Sequence, residues 1–151
     1  MKHLIIEEIT NLAETVSGKD DFLMETVKRI NYHFPQYIWA GFYFLEKGRL
    51  HLGPYVGKFT PHTVIDLNQG ICGAAVSRKE TIIVDDVNAD PRYLACSLET
   101  KSEIVIPIRV NGKIIGELDI DSDKLAAFSA DDKELLEQIV EIIGRRLAKE
   151  N

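Results

Sequence analysis

The chain has 151 residues, 45% hydrophobic and 28% charged, the proportions of one globular domain rather than of a disordered or collagen-like chain. Eighteen Lys and Arg against 24 Asp and Glu give a net charge of −6, which leaves no basic footprint for nucleic acid. No apolar run reaches the ~18 residues that cross a bilayer, and Met1-Lys2-His3 followed by Glu7 and Glu8 is not a signal peptide. A cytoplasmic protein with no membrane partner is expected. Its two cysteines, Cys72 and Cys96, are too few for a disulfide framework or, alone, for a zinc site.

Ile5, Ile9, Leu12 and Val16 recur at helical spacing up to Gly18, and Leu23, Val27, Ile30 and Phe34 mark a second helix that Pro35 ends. The period then changes. Tyr37 to Glu46 reads as a strand, Lys47-Gly48 as a turn and Leu50 to Tyr55 as the returning strand. A third strand is expected over His62 to Leu67, a short helix over Ile71 to Arg78 and a fourth strand over Thr81 to Val84. A long loop, Asp85 to Lys101, comes next. Ser102 to Val110 and Lys113 to Asp121 form a hairpin across Asn111-Gly112, a strong two-residue turn signal. Ser129 caps a last helix with Leu135, Ile139, Ile142 and Leu147 on one face, and Asp131 and Asp132 complement its N-terminal dipole.

The order predicts an α+β domain with an antiparallel sheet of about six strands. Residues 1–34 supply the N-terminal helices, 37–122 the sheet and ligand loops, and 129–150 the C-terminal helix. The terminal helices are expected to pack together on one face, with an apolar remainder left for a homodimer.

Chemistry concentrates in the second strand of the hairpin. Glu117, Asp119 and Asp121 alternate with Leu118 and Ile120, so all three carboxylates share a face, and Glu103 on the partner strand adds a fourth. Left in water, such a row is a solvated polar face. In a cleft, crowding raises a carboxyl pKa toward the acid-donor range and suits a ligand carrying an ammonium group. A calcium or magnesium site has no EF-hand-like loop in its support, and His33, His51 and His62 show no metal-ligand spacing. Cys72, at a helix start in Gly70-Ile71-Cys72-Gly73, is a candidate for a lowered thiol pKa. Cys96 lies in the long loop, with Arg92 near it to favour thiolate. Trp39 and Tyr43 share a strand face, as core residues or as an aromatic wall.

Together, Trp39-Ala40-Gly41-Phe42-Tyr43, Gly70-Ile71-Cys72-Gly73, Asp86-Val87, Ala95-Cys96, Ser102-Glu103-Ile104-Val105-Ile106-Pro107 and Leu118-Asp119-Ile120-Asp121-Ser122 resemble GAF-domain proteins of the free methionine-(R)-sulfoxide reductase family. The similarity runs over roughly residues 37–143. It implies reduction of free L-methionine-(R)-sulfoxide with Cys96 as nucleophile and Cys72 as resolving thiol. It further implies that Glu103, Asp119 and Asp121 hold the sulfoxide oxygen and amino group, with Trp39 and Tyr43 around the methyl-sulfur end. A thioredoxin-like partner would restore the thiols, with no metal and no cofactor. The chain departs from the family at His62, where members commonly carry a cysteine, and in the loop Arg92 to Ser97, which usually reads Gly-His-Ile-Ala-Cys-Asp. Two other readings stay open: a non-catalytic GAF sensor of an amine-bearing or redox-active ligand, and a thiol switch without a small ligand.

Overall fold

A computed structural model describes residues 2–95 and 97–150. Two helices open the chain, α1 (Lys2–Thr15) and α2 (Lys19–His33). Gly18 links them at φ 88°, in the left-handed region that costs glycine nothing. Helix α2 stops two residues before Pro35, whose ring disfavours helical backbone at Phe34.

Six strands follow: β1 (Tyr37–Glu46), β2 (Arg49–Val56), β3 (Val64–Asp66), β4 (Ile82–Val84), β5 (Ser102–Val110) and β6 (Lys113–Ser122). They form one sheet in the order β3-β2-β1-β6-β5-β4, every neighbouring pair antiparallel. Helix α3 (Gly70–Arg78) joins β3 to β4, and α4 (Ala130–Ala148) closes the fold. The Asn111-Gly112 turn has positive φ at both residues, 53° and 79°, which matches the twist of the strands it joins.

β3 is shorter than the sequence predicts because its flanks are otherwise engaged. The Thr63 carbonyl accepts from Leu52 N at 2.9 Å, and the His62 carbonyl from the Tyr43 hydroxyl at 2.8 Å. The long loop holds a 3-10 turn, Val87–Ala89, capped by the Asp86 side chain accepting from Asn88 N.

Period-two alternation sorts the central strands into two cores. Ala40, Phe42, Ile104, Ile106, Ile108, Leu118 and Ile120 face α1, α2 and α4 in the larger core. Trp39, Tyr43 and Val105 face α3 in the smaller one, with Cys72 among them. Tyr37 breaks the alternation. A bulge between Tyr37 and Trp39 in the pairing of β1 with β6 swings Tyr37 into the helical core against Phe34 and Phe128.

On α4 the Ser129 hydroxyl accepts from Asp132 N at 3.2 Å, while the Asp132 carboxylate accepts from Ser129 N at 2.8 Å. This reciprocal box satisfies two groups a bare helix start would orphan. Ile143 is fully buried on the apolar face, and Ile142 only partly so. Helices α1 and α4 pack together as expected, tied by Arg146 Nη1 donating to the Ala13 carbonyl at 3.0 Å.

Gly144 gives this layer a sharp test. Alanine favours a helix interior over glycine by about 1 kcal/mol. A Cβ at Gly144, however, would lie 2.3 Å from the Arg109 carbonyl oxygen of β5. Gly144→Ala is therefore expected to destabilise the fold by about 1–3 kcal/mol in denaturant unfolding, and a stabilised variant would refute this account of how α4 seats on β5.

Candidate active site

Strand register assembles the acids. Asp121 pairs with Trp39 on one side and Glu103 on the other. Asp119 pairs with Gly41 and Val105, and Glu117 with Tyr43 and Pro107. The row points toward α3 and is no solvated face, because Glu117 is 0% exposed, Asp121 2%, and Glu103 and Asp119 6% each. Helix α3 and the aromatic residues of β1 exclude water from it, so the row is not the solvated polar face that it would be in the open.

Gly41 makes the aromatic wall possible. A Cβ there would come within 2.5 Å of Tyr55 Cβ and 2.6 Å of the Trp39 ring. The indole therefore lies across Gly41, stacked on Tyr55 at 5.2 Å and 6.3 Å from the Tyr43 ring centroid. Trp39 Nε1 donates to the Lys58 carbonyl at 3.1 Å. Gly73 plays the matching part on α3. A Cβ at Gly73 would meet the Leu67 carbonyl oxygen at 2.8 Å, so only glycine lets the helix start settle this close.

That seating brings Cys72 onto the acids. Its sulfur and one carboxylate oxygen each of Glu103 and Asp119 lie within 4.8 Å of one another. Burial, then the neighbouring Asp119, Glu117 and Glu103 charges, push the Cys72 thiol well above its ordinary value. The expectation of a lowered pKa at this helix start is overturned: burial first, and then three acids, outweigh the fraction of a charge a helix end supplies. Burial likewise raises Glu117 well above the usual carboxyl range, although the Cys72 thiol beside it works the other way. Asp119 is raised by the same desolvation, against contacts with Glu103 and Cys72 that favour its charged form.

Glu117 belongs to this site, although the sequence resemblance assigns it no role. Its place in the alternating row was the signal. Cys96 lies outside the described residues. Arg92, expected to favour thiolate there, is committed to Asp90 through Nε at 3.0 Å and Nη2 at 2.6 Å. His62 reaches the same loop, its Nε2 2.9 Å from the Ala95 carbonyl oxygen.

Two hollows adjoin the row. One, of about 20 Å³, lies between Tyr43, His62, Cys72, Leu94, Glu103 and Asp119. The other, of about 280 Å³, is bounded by Trp39, Phe59, Thr60, Thr100 and Asp121, with Lys58 and Glu99 ion-paired at its rim. A larger groove between α4 and β5 has charged groups already engaged, Arg145 with Glu141 and Glu137 with the Thr81 hydroxyl.

The buried row yields two measurable consequences. In a Cys96→Ser protein, Cys72 should react with iodoacetamide at least about tenfold more slowly than a free thiol at neutral pH, since thiolate is the nucleophile; equal rates would contradict its burial. The folded chain also keeps a proton on Glu117 that the unfolded chain releases above its ordinary carboxyl range. The associated stability is complete at acidic pH and is lost as pH rises. Glu117→Gln should thus be nearly neutral near pH ~4 and increasingly stabilising toward pH ~8 in urea unfolding with EDTA present, and a pH-independent difference would count against a protonated Glu117.

The GAF domain family model matches residues 20–147. Protein YtsP of Bacillus subtilis is 44% identical over 122 residues, 78% of this chain and 74% of its own length. The free methionine-R-sulfoxide reductase of Escherichia coli is 37% identical over 139 residues, 92% of this chain and 79% of its own. Among solved structures, the free methionine-R-sulfoxide reductase of Neisseria meningitidis in complex with its substrate matches at a TM-score of 0.93 and 30% identity, covering 99% of this chain and 90% of that one.

Proposed function

The chain belongs to the GAF domain family and, within it, to the free methionine-R-sulfoxide reductases, and from that premise we propose that it reduces free L-methionine-(R)-sulfoxide to methionine. The observation that carries the reading is the buried row Glu103, Asp119 and Asp121 beside the Trp39–Tyr43 wall. Desolvated acids next to an apolar aromatic surface suit a small zwitterion that carries a polar S–O group on a methylated sulfur.

The substrate would occupy the hollow at Trp39 and Asp121 with its sulfoxide toward Glu103 and Asp119. Asp121 takes the ammonium group, and the indole and phenol rings flank the methyl. Asp119, whose carboxyl burial raises above its ordinary value, gives its proton to the sulfoxide oxygen as the Cys96 thiolate attacks sulfur. The S–O bond breaks as the bond from Cys96 to the substrate sulfur forms. The released hydroxide then attacks the Cys96 sulfur and breaks that S–S bond, leaving Cys96 as a sulfenic acid and methionine reduced by two electrons. The Cys72 thiol then displaces water from the sulfenic acid to form a disulfide. Because Cys72 is buried on α3 against the carboxylate row, this second step needs Leu94, which rests on Gly70, to move aside. A thioredoxin-like dithiol returns both cysteines to thiols by exchange.

NADPH oxidation coupled through thioredoxin and its reductase reads the cycle. Cys96→Ser should abolish turnover, Cys72→Ser should restrict thioredoxin-driven cycling while allowing one turnover, and Asp119→Asn should lower kcat/KM by about 10²–10⁴-fold. N-acetylmethionine sulfoxide, which lacks the ammonium group, should be a much poorer substrate. Wild-type protein that turns over nothing with thioredoxin or dithiothreitol would sink the reductase reading.

A further inference from the structure

We propose that the small cavity between α3 and β6 is a binding site for one thiophilic divalent cation of the zinc class, held by Cys72 Sγ and one carboxylate oxygen each from Glu103 and Asp119. The three donor atoms lie within 4.8 Å of one another on three different elements. Zinc–sulfur and zinc–oxygen bonds of about 2.0–2.3 Å bring donors slightly closer than this, a contraction within reach of side-chain rotation. The cavity holds about 20 Å³, room for one ion or water molecule and for no organic group.

Charge makes the same demand. Two acids and a thiol line a cavity on whose walls, among the described residues, there is no Lys or Arg. Glu117 supplies a separate observation. It is 0% exposed and faces the Cys72 thiol, yet neither of its oxygens has a hydrogen bond of ordinary geometry. A buried acid left in that condition is costly, and a cation on Cys72 would compensate it directly. A thiolate among the donors selects zinc, cobalt or cadmium over magnesium or calcium. Binding expels the protons that the donors otherwise hold, and His62 and Tyr43 line the cavity beside the three donors.

The filled site uses two carboxylates assigned to the sulfoxide, so Zn²⁺ and substrate exclude one another. That competition rests on the proposed reaction, whereas the binding does not.

Cobalt tests the binding without any turnover. Chelator-treated, reduced full-length protein titrated with Co²⁺ should develop a near-ultraviolet sulfur-to-cobalt charge-transfer band that Zn²⁺ abolishes and Mg²⁺ leaves intact. The band should persist in Cys96→Ser, vanish in Cys72→Ser, and require about tenfold or more Co²⁺ in Asp119→Asn, with each variant's fold checked by circular dichroism. No band in the wild type, a band that survives Cys72→Ser, or one lost in Cys96→Ser would each overturn the proposal. Should Cys72→Ser fail to fold, Asp119→Asn decides, and unchanged cobalt affinity there overturns it. In the coupled assay, Zn²⁺ should inhibit competitively with methionine sulfoxide. A protein that binds Co²⁺ as described but never turns over would refute the reaction and leave the metal site standing.

Discussion

Carboxylates on one face of β6 have to be kept out of water, and much of this fold follows from that requirement. A row of acids two residues apart repels itself and is expensive to desolvate. It persists because the opposite face of the same strand, Leu118 and Ile120, is locked into the helical core. The period of two then leaves Glu117, Asp119 and Asp121 no other direction to point. The acids cannot all stay ionised in such surroundings. They must share protons, gather an ammonium group or take up a cation, and each of these options amounts to binding something positive.

The two sides of the sheet carry different burdens. Toward the helices lies a continuous aliphatic and aromatic layer that stabilises the domain. Toward α3 the layer is smaller and interrupted by polar groups, and it is held close by glycines at 41 and 73 rather than by bulk. The stable side thus offsets the strain of the reactive one. This division fits a site whose thiol is shielded and whose nearest loop residue, Leu94, rests on Gly70 instead of being built into the sheet.

The elements were most readable where a local rule acts alone. Asn111-Gly112 and Ser129 announced a turn and a helix start, and β1 and β5 run over the predicted residues because aromatic and β-branched runs are bounded by clear turns. The site was half readable. Alternation put four acids on one face, and the resemblance gave most of them roles. Sequence could not say that α3 would cover that face, because the cover depends on Gly73 approaching the Leu67 carbonyl, a tertiary fact. For the same reason the Cys72 thiol was misjudged: the helix start is local and visible, whereas the acids that overrule it come from strands thirty and more residues away. The early end of β3 was hidden in the same manner, since Tyr43 reaches across to claim the His62 carbonyl.

The bulge between Tyr37 and Trp39 shifts the phase of β1 by one residue. Tyr37 can therefore anchor the helical core while Trp39, an even step away, serves the opposite face. In sequence comparison, then, the two aromatics carry their full information only together with the bulge between them. A relative that keeps the same two-residue step in a regular strand would present the same letters with the indole turned into the helices, and its carboxylate row would stand beside a different wall. The bulge here acts as a selector of ligand shape.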